Sequence, residues 1–545
     1  MPSDIASRAT SLFPYPSYRD YQRKSLIEAA EALYEQGYQN VVLNLPTGIG
    51  KSAINVTVAE LADSAFITTP QKALRRQLEE DNDLREYYST LRARDDYTCV
   101  TGSQLVADSV SCKECEINKS DDRSCIDQQN CEYWESKQDA IDDKTAVLTF
   151  SYLILDRFLP EYIPRMVSGE EVTERVSFSD RELLVVDECH KLESQVASLH
   201  AGITVSPYSL PEGVVDGTPS RVDIPDDGVL TFEDVEDELQ NVYDRAQDFI
   251  EDQAGAVAVD NPDLQDCMSF CEKYEWCVEQ TEGGRDWVVE KSETAAGESL
   301  KIVPVDVDEF LQENVWSRSE KRLLSTATMP FSSSPEKWLD RLGLNPSLTK
   351  VIQYPMPFPS ENRQIITKTE IGRMSSGGFE EHFDAIVEKI RLISRKHSGE
   401  KGLVHTVSYD RAEKLHEHFE HNARCHSRTG DDLNLQISHW QQSDDDIFFS
   451  PSAMDGVDLP GEKCRWQALV KVPYPNLADP RTRFLTSERG RDDIYMERTS
   501  QQIQQSVGRG VRKEGDKCRY YVLDESFSDV KREADFPSWF EEAIV

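Results

Sequence analysis

One short stretch narrows the possible folds of these 545 residues more than any other. It is Pro46-Thr47-Gly48-Ile49-Gly50-Lys51-Ser52, directly after the apolar run Val41-Val42-Leu43-Asn44-Leu45. An apolar run that stops at a proline reads as a buried strand. Residues 51–62 return to helical character, so the stretch between is a turn from strand to helix. Glycines let such a turn wrap an anion with successive backbone N–H groups at the helix N-terminus. Lys51 is expected to reach the β- and γ-phosphates of a nucleotide, and the Ser52 hydroxyl to hold Mg²⁺. Thr47, Gly48 and Gly50 would line the same loop. The general phosphate-loop pattern has Gly where this chain has Leu45.

The neighbourhood repeats that rhythm. A helix is expected over 20–36, with Leu26, Ala29, Ala30 and Leu33 inward and Gly37 ending it. A strand at 65–69, a helix at 72–80 and strands at 146–150 and 182–186 follow. Strand–helix alternation of this kind argues for a parallel sheet covered on both faces. It breaks twice, over about 95–135 and about 206–305, and strands resume near Arg322-Leu323-Leu324. From about 345 the style returns: helix 380–395, strand 402–405, helix 409–420, strand 447–449. The expected fold is α/β, two parallel-sheet lobes with two inserts in the first. Residues 1–95, 136–205 and 306–344 would form lobe 1, and 345–545 lobe 2. Residues 96–135 would be a small cysteine-rich domain, and 206–305 a largely helical insert.

The apolar strand Leu183–Val186 ends in Asp187-Glu188-Cys189-His190. Acidic residues at the C-terminal end of a buried parallel strand stand where such sheets bind ligands. Asp187 is expected to hold Mg²⁺ and Glu188 to orient and activate the attacking water. In the second lobe, Gln505-Ser506-Val507-Gly508-Arg509-Gly510-Val511-Arg512 places two arginines three apart, on one helical face. Arginines delivered from a second lobe stabilise charge on a transferring phosphoryl group.

With these residues in order, the chain resembles the superfamily-two helicases of the XPD/DinG type. Phe13-Pro14-Tyr15 and Tyr18-Arg19-Asp20-Tyr21-Gln22 resemble the family's adenine-recognising segment, which assigns Arg19 and Gln22 to the base. Thr68-Thr69-Pro70 resembles a contact to the DNA backbone. Asp187 to His190 is similar to the DEAH box, with Cys189 in place of Ala. Ser325-Thr326-Ala327-Thr328 resembles the motif that couples hydrolysis to DNA grip. Asp455-Gly456-Val457-Asp458-Leu459-Pro460-Gly461 and Gln505 to Arg512 match the last two motifs, with Asp455 where the family has Glu. The resemblance implies two RecA-like lobes and ATP hydrolysis in their cleft, using Lys51, Asp187, Glu188, Gln505, Arg509 and Arg512, with Asp458 at the nucleotide. It also implies 5′-to-3′ translocation on single-stranded DNA, an iron–sulfur domain before the acid box and an Arch insert after it.

Five thiols, Cys99, Cys112, Cys115, Cys125 and Cys131, crowd the first break. Four thiolates around one C-x-x-C suit zinc as well as an iron–sulfur cluster. The resemblance favours [4Fe–4S] on Cys99, Cys112, Cys115 and Cys131. Cys131 is preferred to Cys125 because Glu132-Tyr133-Trp134 follows it, as aromatic residues do in the family. Cys267, Cys271 and Cys277 are expected to be packing thiols.

Asp plus Glu number 100 against 60 Lys plus Arg, a net charge of −40. That balance is the reverse of most nucleic-acid binders. Molar salt shortens the Debye length to ~3 Å and removes most of the self-repulsion, so a halophilic origin is expected, as in haloarchaea and their viruses. Grip on a strand would then come from enclosure and stacking rather than counterion release. Tyr97, Tyr133, Trp134, Tyr274, Trp276 and Trp287 are the candidate stacking residues. No cationic-then-apolar leader and no apolar run of about 18 residues occurs, so a cytoplasmic protein without membrane contact is expected. The expected activity is a monomeric, ATP-dependent DNA helicase acting on single strands and on forked or tailed duplex, in repair, replication or viral genome handling. An ATP-switched scaffold that does not unwind, or an RNA-directed helicase, are the alternatives.

Overall fold

The structure, a computed structural model, describes residues 3–70, 78, 81, 83–93, 96–97, 132–158, 161–167, 170–223, 229–253, 262–294, 297–375, 377–419, 422–426, 428, 433–451, 459–513 and 515–545. The apolar runs become parallel strands. β1 (Asn40–Asn44), β2 (Ala65–Thr69), β3 (Ser89–Thr90) and β4 (Thr145–Thr149) open the first sheet. A hairpin of β5 (Glu161–Val167) and β6 (Glu170–Val176) precedes β7 (Arg181–Asp187). β8 (Ile203–Val205), β9 (Trp287–Thr294) and β10 (Gly297–Pro304) belong to the insert. β11 (Ser319–Thr326) and β12 (Thr349–Gln353) complete the first sheet. Its order is β12-β1-β11-β7-β2-β4-β3, with every pairing parallel.

β1 and β2 are buried along their whole length, as strands covered by helices on both faces must be. One core, with Val42, Phe66, Leu184 and Leu324, lies on one face, and another, with Val41, Leu43, Ile67 and Val185, on the other. The register sets Leu43 beside Ser325 and Ser325 beside Asp187. The C-terminal ends of the three central strands therefore meet at one edge.

The second sheet is built from β13 (Ile365–Ile366), β14 (Gly402–His405), β15 (Ala423–Cys425), β16 (Ile447–Ser450), β17 (Trp466–Leu469) and β18 (Arg519–Val522). It is also parallel, in the order β13-β18-β17-β14-β16-β15. Among the described residues no helix is long and apolar enough to cross a membrane.

The structure refines the sequence reading at three places. β12 pairs with β1, so the first sheet reaches past residue 344 into the stretch assigned to lobe 2. The second insert, helical in large part, also carries a small sheet. Helices Glu236–Asp252 and Pro262–Glu282 pack on an antiparallel sheet, β8-β10-β9. The aromatic residues that were candidates for stacking on bases are core residues. Tyr97, Tyr133, Tyr274 and Trp287 are buried, while Trp134 and Trp276 pack against the cores. Cys267, Cys271 and Cys277 are likewise buried in the insert.

The five clustered cysteines, from Cys99 to Cys131, lie outside the described residues, as do Asp455, Asp458 and most of the helix expected over 72–80. The chain leaves for and returns from the cysteine segment at one point. Tyr97 meets Tyr133 edge to face, with ring centroids 5.5 Å apart, and Arg92 pairs with Glu132 at 2.8 Å.

Candidate functional site

The phosphate loop begins where β1 ends and turns into helix Lys51–Leu61. Gly48 and Gly50 have φ of +90° and +88°, a left-handed backbone that disfavours side chains. Space is short as well, against backbone at Gly48 and against the movable Gln22 side chain at Gly50. A Cβ on Gly48 would stand 2.4 Å from the Arg512 carbonyl oxygen, and one on Gly50 2.4 Å from Gln22 Nε2. The segment before the first helix clamps the loop from outside: Arg19 Nη1 donates to the Gly48 carbonyl at 2.9 Å and Gln22 Nε2 to the Gly50 carbonyl at 3.0 Å. Gln22 Oε1 accepts the Arg19 N–H at 2.9 Å, which joins the two clamps. Lys51 Nζ folds back onto the Leu45 carbonyl at 3.2 Å. Ser52 is exposed. Thr47 Oγ1 is buried and has no hydrogen-bond partner among the described residues, so its hydroxyl is available to a phosphate oxygen.

The acid pair sits at the end of β7. Ser325 Oγ donates to Asp187 Oδ1 at 2.7 Å, and Asn55 Nδ2 donates to Ser325 Oγ at 2.9 Å and to Asp187 at 3.4 Å. Desolvation, then the charge of Glu188, pushes Asp187 up to about 6, with Lys51 and the Ser325 hydroxyl opposing. A carboxylate in that condition is relieved by a cation. Glu188 goes the other way. Desolvation raises it, but Lys51, His190, Lys191 and Arg509 together outweigh that and hold it below the usual carboxylate range. Its backbone is left-handed, φ 48° and ψ 44°, and strain of that kind concentrates at functional sites. Cys189, fully buried, has its thiol pushed well up by burial first and by the acid pair second. It packs and does not react.

The second lobe closes over this edge. Gln505 Nε2 donates to His190 Nε2 at 2.5 Å and to Thr328 Oγ1 at 3.3 Å. His190 Nδ1 is then the protonated nitrogen, 2.9 Å from Thr326 Oγ1 and 3.4 Å from Glu188. Gln501 Nε2 donates to the Thr328 carbonyl at 2.8 Å. Arg509 lies close enough to lower both Glu188 and, after burial, His405. Arg512 brings its carbonyl against Gly48, and Phe358 from lobe 2 touches the same glycine.

Of the residues singled out in the sequence, Arg19, Gln22, Thr47, Gly48, Gly50, Lys51, Ser52, Asp187, Glu188, Gln505, Arg509 and Arg512 line one seam. Asn55 and Phe358 escaped the sequence reading. Asn55 left a trace, as a polar residue inside the apolar run Ala53-Ile54-Asn55-Val56. Phe358 left none, because its position depends on how the lobes meet.

Residues 390–543 match a family model described as a helicase C-terminal domain. Residues 16–206 match one described as the res subunit of type III restriction enzymes. The 3'-5' exonuclease DinG of Bacillus subtilis (strain 168) is 23% identical over 236 residues, 41% of this chain. The match spans a quarter of that relative's own length, 25%. Among solved structures, an XPD helicase superposes with a TM-score of 0.59 at 15% identity, covering 97% of this chain and 98% of that one. Xpd4 of S. tokodaii gives 0.55 at 16% identity, over 94% and 98%. The fold is that of the XPD structures, and the helicase-domain match supports an ATP-dependent helicase.

Proposed function

We propose that this chain, a helicase of the XPD/DinG type, hydrolyses ATP in the seam between its two sheets and so moves along single-stranded DNA from 5′ to 3′, opening forked or tailed duplex. The observation that carries the reading is convergence: Lys51 from the first lobe and Arg509 from the second both act on Glu188, beside the buried Asp187.

Arg19 and Gln22 would hold the base side of the nucleotide, and Thr47 to Ser52 its phosphates. The orphaned Thr47 hydroxyl and the desolvated Asp187 fit a bound Mg·nucleotide. Ser52 and Asp187 would hold Mg²⁺, which when bound draws charge from the phosphate oxygens. Glu188, held ionised, accepts a hydrogen bond from the attacking water and orients it. Lys51 and Arg509 take up charge on the γ-phosphoryl group, with Arg512 behind them. Gln505 reports closure to His190, and release of product lets the lobes part. Asp458, outside the described residues, is assigned to the nucleotide by its motif alone.

Cys99, Cys112, Cys115 and Cys131 are proposed to hold a [4Fe–4S] cluster. Soft thiolate donors suit it, and the adjoining Tyr97 and Tyr133 suit an insertion at that point of the chain. Anaerobically purified protein should then be brown, with about four iron and four labile sulfide per chain. A colourless protein with stoichiometric zinc replaces the cluster with a zinc site. A role in DNA repair, replication or viral genome handling, as a cytoplasmic monomer of a halophile, completes the proposal.

Strand displacement in molar salt on 5′- and 3′-tailed duplexes tests it, with Lys51→Ala as control. Displacement from the 5′ tail, lost in Lys51→Ala, is expected. Hydrolysis without displacement would make the chain an ATP-switched scaffold, and stronger competition by RNA than by DNA would change the substrate. Unaltered turnover in Lys51→Ala would remove the ATP site itself.

A further inference from the structure

Beyond the acid pair, the short helix Leu192–Gln195 carries Glu193, 7% exposed. Three guanidinium groups converge on its Oε1. Arg341 comes from lobe 1, while Arg481 Nη2 at 2.6 Å and Arg498 Nη2 at 3.1 Å come from lobe 2. Burial alone would raise this carboxyl, yet Arg341, Arg481 and Arg498 hold it far below the usual range. Asp479 is the other acid facing Arg498. Arg481 is fixed further by the Val305 carbonyl, at 2.9 Å from Nε and 2.7 Å from Nη2. A buried carboxylate is tolerated only with partners in place, and losing them is costly. Most of Glu193's partners belong to the opposite lobe.

Glu193 is also tied mechanically to Glu188, five residues earlier. The Lys191 N–H donates to the Glu188 carbonyl at 3.0 Å, and Gln195 Nε2 donates to the Pro70 carbonyl at 3.0 Å. The segment is thus a short braced turn with the left-handed Glu188 at one end and the arginine grip at the other. A left-handed non-glycine residue needs its surroundings to hold it.

We propose that Glu193 is a positioning residue for hydrolysis: Arg481 and Arg498 grip it when the lobes shut, and the grip holds Glu188 in place for the attacking water. The inference rests on the ATP-seam reading and adds a further interlobe contact, separate from the nucleotide, that makes Glu188 placement conditional on closure. Parting the lobes leaves Glu193 with Arg341 alone and releases the turn.

The test compares Glu193→Gln, Arg498→Gln and the double variant in molar salt. Turnover and KM for ATP are measured with saturating single-stranded oligo(dT), together with Mg·ADP affinity. ADP binding uses loop residues of lobe 1, so it should stay within twofold of wild type. Turnover should fall about tenfold in each single variant, and the double should be no worse than either single, as expected for partners in one interaction. Arg498 is partly exposed, so its variant keeps the proposal falsifiable should Glu193→Gln fail to fold. Turnover within twofold of wild type, additive losses, or ADP affinity falling in step with turnover would each overturn the positioning role. Failure of the underlying reading looks different: Lys51→Ala would then keep wild-type turnover, whatever the Glu193 variants do.

Discussion

At the scale of single residues, the site is set by positions where a substitution carries a specific cost. Gly50 has a left-handed backbone and Gln22 Nε2 in the space a Cβ would take. Alanine there costs about 1–2 kcal/mol in backbone energy and displaces the Gln22 clamp on the loop. Gly50→Ala should weaken ATP binding by roughly tenfold, read by titration with a nucleotide analogue, while thermal unfolding shifts by only a few degrees. Wild-type affinity in that variant would mean the loop does not wrap the phosphates. Residues of this kind were legible in the sequence because their signal is local: glycines, lysine and serine at fixed spacing between a strand and a helix. Asp187 and Glu188 were legible for the same reason, at the end of an apolar run. Glu193 was not, since an acid in an acidic chain carries no signal until three arginines from distant positions surround it.

At the scale of elements, helix Asp492–Val507 bridges the lobes through Glu497, Gln501 and Gln505. Glu497 on it is buried and accepts the Phe331 backbone N–H at 3.0 Å. Burial pushes its carboxyl up to about 7, with the Phe331 N–H opposing and Asp535 and Asp493 adding. An unfolded glutamate titrates near 4.3. The folded protein therefore holds this proton more tightly than the unfolded chain. The associated stability is complete below about 4.3 and is lost as pH rises through about 7. Wild type should melt at a higher temperature at pH 6 than at pH 8, and Glu497→Gln should narrow that gap. An unchanged gap would show that Glu497 does not titrate there. Asp187, raised to about 6, contributes with the same sign, so the difference between variant and wild type is the informative quantity. Elements were unevenly legible. The parallel strands announce themselves as apolar runs because both faces are covered. β9 and β10 are half-exposed and mix Val with Glu, Lys and Ser, so their alternation sinks into the acidic background and the insert reads as helical. β12 was assigned to the wrong lobe because sheet membership depends on pairing with β1, which sequence order does not encode.

At the scale of the whole molecule, the net charge of −40 acts against the closed state. The seam itself holds together through partly buried contacts, among them the Glu193 cluster and the ion pairs from Arg489 to Asp286 and Asp306. Salt screens such contacts weakly, whereas it screens repulsion across an exposed acidic surface strongly. The Debye length falls from ~10 Å at a tenth molar to ~3 Å at one molar. Raising KCl over that range should therefore remove repulsion faster than it weakens the seam, and the melting temperature should climb. Excluded cosolutes also favour compact states, so sucrose at matched osmolality is the control: it should stabilise less than KCl does. A melting temperature that falls with KCl, or that rises equally in sucrose, would mean that surface repulsion does not govern this fold. The same physics reaches function, because a closed seam is what brings Arg509 to Glu188. Turnover by the wild type should follow the stability curve upward with KCl, and should rise less steeply in a variant whose exposed Asp and Glu residues are exchanged for Asn and Gln.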